Sequence, residues 1–190
     1  MLFFYPIFAQ NLLKGKIVDE FDQPIENVVV MIDASSRSAK SNTAGEFQID
    51  FPNGQHTVIF RHADFDLTRE SFQSSDLKVV KIILHEKVIE LQEATVSVMS
   101  PADWNYYYSI FKENFLGINK AAKDCKILNP KILRFHFDAE NRVLTATAKD
   151  PILIENHHLG YLVEYDLTDF MMDYKNQYLL VVGSSFFQEL

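Results

Sequence analysis

KGKIVDEFDQPIENVVVMIDASSRSAKSNTAGEFQIDFPNGQHTVIF, residues 14–60, is the stretch that decides the fold of this chain. Side chains alternate with a period of two over residues 28–34. They alternate again over residues 47–51, where three apolar side chains are separated by two polar ones. This period is typical of half-buried strands. The stretch therefore predicts several short strands.

Residues that favour turns separate these strands. Pro24 presets a bend through its fixed φ, Gly45 is free to adopt a positive φ, and Pro-Asn-Gly-Gln at 52–55 is a strong hairpin signal. Short strands at this close spacing predict a β-sandwich for the first part of the chain.

Four motifs occur in order through the same stretch: G-x-(I/V)-x-D, P-I-x-x-V-x-V, S/T-x-x-x-G-x-F-x-I and P-x-G. They are carried by Gly15, Val18, Asp19, Pro24, Ile25, Val28, Val30, Ser41, Gly45, Phe47, Ile49, Pro52 and Gly54. Together they resemble the carboxypeptidase regulatory-like domain family, and the resemblance covers about residues 12–86. It implies a transthyretin-like sandwich of seven strands. In this family the domain is usually an accessory: it accompanies metallocarboxypeptidases and is common at the N-terminus of Gram-negative outer-membrane receptors and other envelope proteins.

Composition excludes some classes of function. The 190 residues carry a formal net charge of −8, and 47% of them are hydrophobic. That apolar content predicts a folded chain with a substantial core. An acidic chain without a basic stripe argues against binding of nucleic acid and of anionic membrane surfaces. The single cysteine, Cys125, leaves the redox compartment open.

The first nine residues, MLFFYPIFA, form an apolar run that ends in a small residue. We interpret it as the last part of a signal peptide that is cleaved before Gln10; the alternative is a first strand. The run is too short to span a bilayer. No transmembrane span is expected elsewhere in the chain.

Residues 100–116 predict a helix. Ser100 suits the N-cap, Pro101 the first helical position and Asp103 the first turn, while Gly117 suits the C-terminal end. One face carries an apolar stripe made of Trp104, Tyr108, Phe111 and Phe115. A second short helix is expected at about 119–125. From residue 131 the period returns to two, which predicts about five antiparallel strands and an α+β module.

A second series of motifs follows the sandwich: W, F-L-G, A-x-x-C-x-I-x-N-P, L-x-F, L-x-A-x-A, P-I-x-I-x-N and L-G-Y-x-x-x-Y-x-L. This series is similar to the second module of uncharacterised envelope proteins described as carboxypeptidase-like regulatory domain-containing. No activity is implied by this resemblance.

Motifs for catalysis are missing from the sequence. Neither H-x-x-E nor H-E-x-x-H, the zinc peptidase patterns, occurs, and no G-x-S-x-G or phosphate loop is present. The chain is therefore predicted not to be an enzyme and to need no metal or cofactor. Candidate ligand contacts remain at Trp104, Tyr106 and Tyr107, which have the chemistry to stack a sugar, and at His157 and His158, the densest polar cluster. The alternatives are core packing for the helix aromatics and an exposed turn for the histidines.

The predicted organisation is a partial signal peptide at residues 1–10, the sandwich at 11–86, a connecting strand at 87–99 and the α+β module at 100–190. We expect this module to continue beyond the end of the sequence. The predicted fold class is mainly β. The predicted function is a non-catalytic docking or binding module, exported to the periplasm or the outer membrane of a Gram-negative bacterium, whose partner is an envelope protein or a polysaccharide. The alternative is a glycan-binding or hydrolytic protein with its site in the α+β module.

Overall fold

The computed structural model describes residues 11–87 and 99–190. The predicted signal peptide and most of the predicted connecting strand lie outside these ranges. The chain divides into two compact units, residues 1–90 and 91–190. Strands dominate both units, so the mainly β prediction is confirmed. No helix in the described ranges has the length and apolarity to cross a membrane.

The first unit is a sandwich of two sheets. One sheet has the strand order β4-β1-β7 and the other the order β3-β2-β5-β6. The described strands are β1 Asn11–Val18, β2 Val29–Ile32, β3 Ser38–Lys40, β4 Glu46–Phe51, β5 Gln55–Arg61, β6 Thr68–Gln73 and β7 Val80–Ile83. These seven strands confirm the predicted transthyretin-like sandwich.

The core of the sandwich is made by the inward side chains of both sheets. Its buried members are Leu13, Ile17, Ile25, Val28, Val30, Ile32, Phe47, Ile49, Phe51, Val58, Phe60, Ile82 and Leu84. Phe47 of β4 and Phe60 of β5 join the two sheets edge to face, with ring centroids 5.6 Å apart. The period-two pattern thus buries alternate residues of β1 and β4, as expected from the sequence, whereas β2 and β5 also bury Met31 and Ile59 on their other face.

Two details of the sandwich differ from the prediction. The sequence of residues 63–76 shows no period of two and on its own predicts an irregular segment, but these residues contain β6. The side chains of β6 are mostly exposed at a sheet edge, so no apolar period marks it. The alternation of apolar and polar residues over 77–85 predicts a longer strand than β7, which covers only Val80–Ile83. This strand pairs in parallel with β1, with Gly15 opposite Val80, a pairing that no local pattern indicates.

The second unit packs a helix on an antiparallel sheet. Its elements are α1 Pro101–Leu116, α2 Lys120–Lys123, β8 Cys125–Ile127, β9 Leu133–Asp138, β10 Val143–Ala148, β11 Ile152–Asn156, β12 Tyr161–Asp173 and β13 Tyr178–Glu189. Phe111 of α1 is fully buried against Phe135 and Phe170 of the sheet. The predicted α+β module is confirmed, with a shorter second helix that ends before Cys125.

The six strands of this sheet follow the path of a four-stranded meander. β8 and β9 form one interrupted strand, β10 and β11 form a second, and β12 and β13 are the other two. β13 pairs with β12 along its whole length, so β10 and β11 share the other edge of β12. Ala148 lies opposite Leu133, and Ile154 lies opposite Ile127. The two pairs are therefore six positions apart on both strands, and the hairpin of β8–β9 with β10–β11 keeps its register across the interruption.

Both ends of α1 are as predicted. The Ser100 hydroxyl accepts a hydrogen bond from the Asp103 amide at 3.1 Å, and Gly117 takes a φ of 87° at the C-cap. The last strands differ from the prediction. β12 is continuous through a bulge at Leu167–Asp169, although the sequence alone favours two separate strands there, and β13 runs through Gly183, where a glycine favours an interruption.

Candidate binding site

A groove of about 750 Å³ lies on the outer side of the three-stranded sheet of the first unit. Its walls come from β1, β4, the end of β3 and the residue before β7. They are lined by Lys14, Gly15, Lys16, Lys40, Asn42, Glu46, Phe47, Gln48 and Val79. The groove thus has three lysines and a single carboxylate.

The alternation of β1 places two of these lysines. Leu13 and Ile17 point into the core and are fully buried, so Lys14 and Lys16 between them point outward. The antiparallel register sets Lys14 opposite Gln48 and Lys16 opposite Glu46 on the same face. The third lysine, Lys40, is the last residue of β3 in the other sheet.

The carboxylate of the groove is held by its own turn. Asn42 accepts hydrogen bonds from the amides of Ala44 at 3.0 Å and Glu46 at 2.9 Å. Its side-chain amide donates to a Glu46 carboxylate oxygen at 3.2 Å. The Glu46 carboxylate therefore already has a partner within the turn.

The three groove lysines form no ion pair within 4.0 Å in the described ranges. A neighbouring lysine on the same sheet is neutralised. Lys81 of β7 lies opposite Lys16, and its ammonium is 2.6 Å from the Asp22 carboxylate. The hydrogen bond and the charge of Lys81 lower the pKa of Asp22 from its usual value, and the charge of Lys16 makes a smaller contribution in the same direction. The groove thus carries an excess of positive charge, while Lys81 beside it does not add to that excess.

Trp104, a predicted ligand contact, is used in packing. Its indole stacks on Tyr108 with centroids 5.0 Å apart, and the ammonium of Lys131 lies 3.8 Å from the ring centroid. Its Nε1 donates to the Leu133 carbonyl at 3.2 Å. A sugar that stacks on Trp104 would have to displace one of these two neighbours.

Tyr106 and Tyr107, the other predicted ligand contacts on α1, belong to a separate aromatic cluster. Tyr107 stacks on Phe137 with centroids 5.6 Å apart, and Tyr106 meets Tyr107 edge to face and is 62% exposed. Burial raises the pKa of the Tyr107 phenol, and the nearby Asp103 carboxylate adds to the rise. The pKa of Tyr174 is raised by burial and then by Tyr106 and Tyr107. Both phenols therefore stay neutral at physiological pH.

The predicted histidine cluster lies in the exposed turn between β11 and β12. His157 Nε2 is 3.0 Å from the Glu155 carboxylate, and 76% of the His157 side chain is exposed. Asn156 shapes the turn, since its side-chain oxygen accepts from the Leu159 amide at 3.0 Å. Within the described ranges, no three His, Cys, Asp or Glu residues are grouped so that they could hold a metal ion.

The structure does not bring the predicted contacts together: the helix aromatics and the histidines are on different elements, and neither set lines the lysine groove. Sequence reasoning missed Lys14, Lys16 and Lys40. The outward positions of Lys14 and Lys16 between two apolar residues are a readable signal. Lys40 comes from a different sheet, and only the fold places it beside them.

Comparisons with known proteins bear on the first unit. Residues 13–96 match the sequence model of the CarboxypepD_reg-like domain family, which is fewer than half of the 190 residues. No curated protein matches the chain. Among solved structures, one titled "The Bacillus anthracis TIE protein" aligns at 9% identity with a TM-score of 0.33. The alignment covers 95% of this chain and 31% of that protein, and a likeness this weak supports no argument.

The match and the seven-stranded sandwich agree with the resemblance that the ordered motifs indicated. The first unit is therefore similar to carboxypeptidase regulatory-like domains in its sequence and in the sandwich of its described residues.

Proposed function

We propose that this protein is a non-catalytic docking module of the cell envelope, and that it binds an acidic partner protein through the lysine groove of its carboxypeptidase regulatory-like domain. The observation that carries the proposal is the set of three lysines, Lys14, Lys16 and Lys40, around one groove of a regulatory-type domain. Domains of this family are binding accessories rather than catalytic domains.

Charge complementarity favours an acidic partner. The chain has a net charge of −8, yet the lining of its groove has three lysines and one carboxylate, Glu46, which is bonded to Asn42. Like charges repel a second copy of an acidic chain, whereas a partner with Asp and Glu at its contact surface is attracted. Exposed ion pairs contribute about 0.2 to 1 kcal/mol each, so three of them support a weak, salt-sensitive association.

An apolar contact adds to the charges. Val79, at the groove wall, is 80% exposed directly before β7. An exposed valine side chain stabilises a complex when the partner covers it and removes it from water. The groove therefore offers a small apolar anchor beside its lysines, as interfaces with a polar rim do.

Export is part of the proposal, and its support is the apolar run that ends at Ala9. We place the protein in the periplasm or at the outer membrane of a Gram-negative bacterium, where such domains accompany receptors. Fractionation of cells that express the protein from its own gene tests this location: a product found only in the cytoplasm would contradict it.

Poly-L-glutamate is a suitable probe of the groove, and the full chain is the protein to test. We expect binding by isothermal titration calorimetry that weakens as salt rises. The variant Lys14→Gln/Lys16→Gln/Lys40→Gln should bind at least about tenfold more weakly, because it loses all three groove charges. Lys112→Gln/Lys120→Gln/Lys123→Gln removes the same charge from exposed positions on the helices of the second unit and is the matched control.

Three results would overturn the docking proposal: wild type that does not bind poly-L-glutamate, a groove variant that binds like wild type, and a control that loses as much affinity as the groove variant. Binding of peptidoglycan fragments with no binding of poly-L-glutamate would replace the protein partner with a polymer. Thermal melts of each variant verify that it is folded.

A further inference from the structure

The long hairpin of the second unit is interrupted in a defined way. Asn129 holds the two sides together: its side-chain amide donates to the Pro151 carbonyl at 2.9 Å, and its side-chain oxygen accepts from the Leu153 amide at 2.8 Å. The Leu128 amide also donates to the Leu153 carbonyl at 2.8 Å. A side chain thus replaces ladder bonds, and the register is kept. Such a break is a built feature of the sheet rather than a frayed end.

The break opens a cleft of about 560 Å³. This volume is within the usual range for small-ligand sites, roughly 300–1,000 Å³. The cleft is lined by Leu128, Asn129, Pro130, Lys131, Ile132, Arg134, Lys149 and Asp150. Three of these side chains are cationic and one is anionic.

Two of the cations are held in place by the protein. The Arg134 guanidinium donates from Nη1 to the Lys131 carbonyl at 2.9 Å and to the Leu133 carbonyl at 3.3 Å. The Lys131 ammonium lies over the Trp104 ring, 3.8 Å from its centroid. Because both side chains are already ordered, a ligand that contacts them loses less conformational entropy.

Among the described residues, no acidic side chain forms an ion pair with the cations of the cleft. Lys131, Arg134 and Lys149 make no ion pair within 4.0 Å in the parts of the chain that the structure describes. Asp150 is the single carboxylate of the lining, so the cleft has an excess of positive charge in an acidic chain. An uncompensated group of cations in a concave site favours an anion.

We propose that this cleft binds the oxyanion group, carboxylate or phosphate, of a small hydroxylated ligand such as a sugar acid or a sugar phosphate. The Arg134 fork suits two oxygens of one group, and the two lysines add point charges. Asp150 is the acceptor for a hydroxyl group next to the oxyanion. The proposal does not depend on the lysine groove of the first unit.

Trp104 provides the readout, since it is the single tryptophan of the chain and Lys131 lies over its ring. The probes are glucuronate, glucose 6-phosphate and neutral glucose, each titrated into the full chain. We expect a saturable change in tryptophan fluorescence with at least one anionic probe and none with glucose. Saturation by glucuronate alone identifies a carboxylate ligand, and saturation by glucose 6-phosphate alone identifies a phosphate ligand.

Arg134→Gln/Lys149→Gln should raise the Kd for the active probe at least about tenfold. The cation over the Trp104 ring is Lys131, so this variant leaves the fluorescence readout in place. Lys120→Gln/Lys123→Gln on α2 is the charge-matched control and should bind as wild type does. The variant Lys14→Gln/Lys16→Gln/Lys40→Gln should also keep its affinity, which separates this proposal from the docking proposal.

The absence of a saturable change with both anionic probes would overturn the oxyanion proposal, as would equal Kd values for wild type and Arg134→Gln/Lys149→Gln. If Lys120→Gln/Lys123→Gln lost as much affinity for the probe as Arg134→Gln/Lys149→Gln, net charge alone would explain the effect. That result would also overturn the proposal. Thermal melts confirm that the variants are folded.

Discussion

The Ser41 hydroxyl accepts a hydrogen bond from the backbone amide of Val28 at 2.9 Å, while the Ser41 amide donates to the Val28 carbonyl at 3.0 Å. The same hydroxyl donates to the Ile25 carbonyl at 2.8 Å. Ser41 is only 4% exposed, so water cannot replace it at these two backbone groups. One side chain thus pairs two buried backbone groups just before β2.

Ser41→Ala should destabilise the protein by about 1 to 3 kcal/mol, because it leaves a buried amide and a buried carbonyl without this partner. Urea unfolding at constant pH measures the free energy of unfolding. Ser38→Ala, at an exposed position of β3, is the control and should stay within about 0.5 kcal/mol. Equal losses in the two variants would contradict the role of the Ser41 hydroxyl.

Gly45 and Gly160 form a natural pair for separating backbone strain from steric overlap. Their φ angles are 75° and 71°, which confirms the positive φ predicted for Gly45. A Cβ at Gly45 would overlap the Ile17 carbonyl oxygen and lie 3.1 Å from the Pro24 Cβ, whereas a Cβ at Gly160 would have nothing within 4 Å. Gly160→Ala should cost about 1 to 2 kcal/mol for the left-handed backbone.

Gly45→Ala should cost at least about 1 kcal/mol more than Gly160→Ala, because the overlap adds to the same backbone strain. Chemical unfolding of both variants gives the difference directly. Two equal values would mean that the strand around Ile17 moves without cost, and the packing argument for Gly45 would then be wrong.

Local chemistry could be predicted from the sequence, and the reason is visible at α1. Ser100, Pro101 and Gly117 act on backbone groups within one turn, so their effects need no distant partner. The sandwich strands were equally readable, because burial on one face leaves a period of two. In contrast, β6 was missed because an edge strand with exposed side chains leaves no apolar period.

Features that depend on distant residues could not be predicted. The cleft arises because Asn129 reaches Pro151 and Leu153, twenty or more positions away. The lysine groove combines β1 with the end of β3. Trp104 was correctly placed on an apolar stripe, but its hydrogen bond to Leu133 and its contact with Lys131 follow from the packing of α1 on the sheet.

His157→Ala/His158→Ala should change stability by no more than about 0.5 kcal/mol, because both side chains are exposed in a turn. Zinc should leave the Tm of wild type and variant unchanged. In the described ranges Glu155 is the one carboxylate within 4.0 Å of His157, and a stable zinc site needs more ligands than these. Thermal melts with and without zinc test both statements. A rise in Tm with zinc that the variant abolishes would establish a metal site at this turn.

Asp138 and Asp173 close two hairpins of the second unit with the same turn. In each, one carboxylate oxygen accepts from the amides two and three residues on: 2.9 and 3.0 Å for Asp138, and 2.9 Å for both bonds of Asp173. The other oxygen accepts from an asparagine side chain at 2.7 Å, Asn141 in the first turn and Asn176 in the second.

These hydrogen bonds, above all those from the backbone amides of Asn141 and Asn176, hold the pKa of Asp138 and the pKa of Asp173 below the ordinary value. Because the folded pKa is lower than the unfolded one, about 3.9, each carboxylate adds stability that is fully present above the unfolded pKa. That contribution is lost as the pH falls through the folded pKa.

Asp138→Asn/Asp173→Asn should therefore be less stable than wild type at pH 7, and the difference should shrink as the pH falls below about 4. Urea unfolding at pH 7, 5, 3 and 2 measures this. Asp50→Asn/Asp124→Asn changes the net charge equally, and those two carboxylates accept no hydrogen bond in the described ranges, so its difference from wild type should be small at neutral pH. A gap that stays constant down to pH 2, or one that the control reproduces, would mean that the turns do not act through ionised carboxylates.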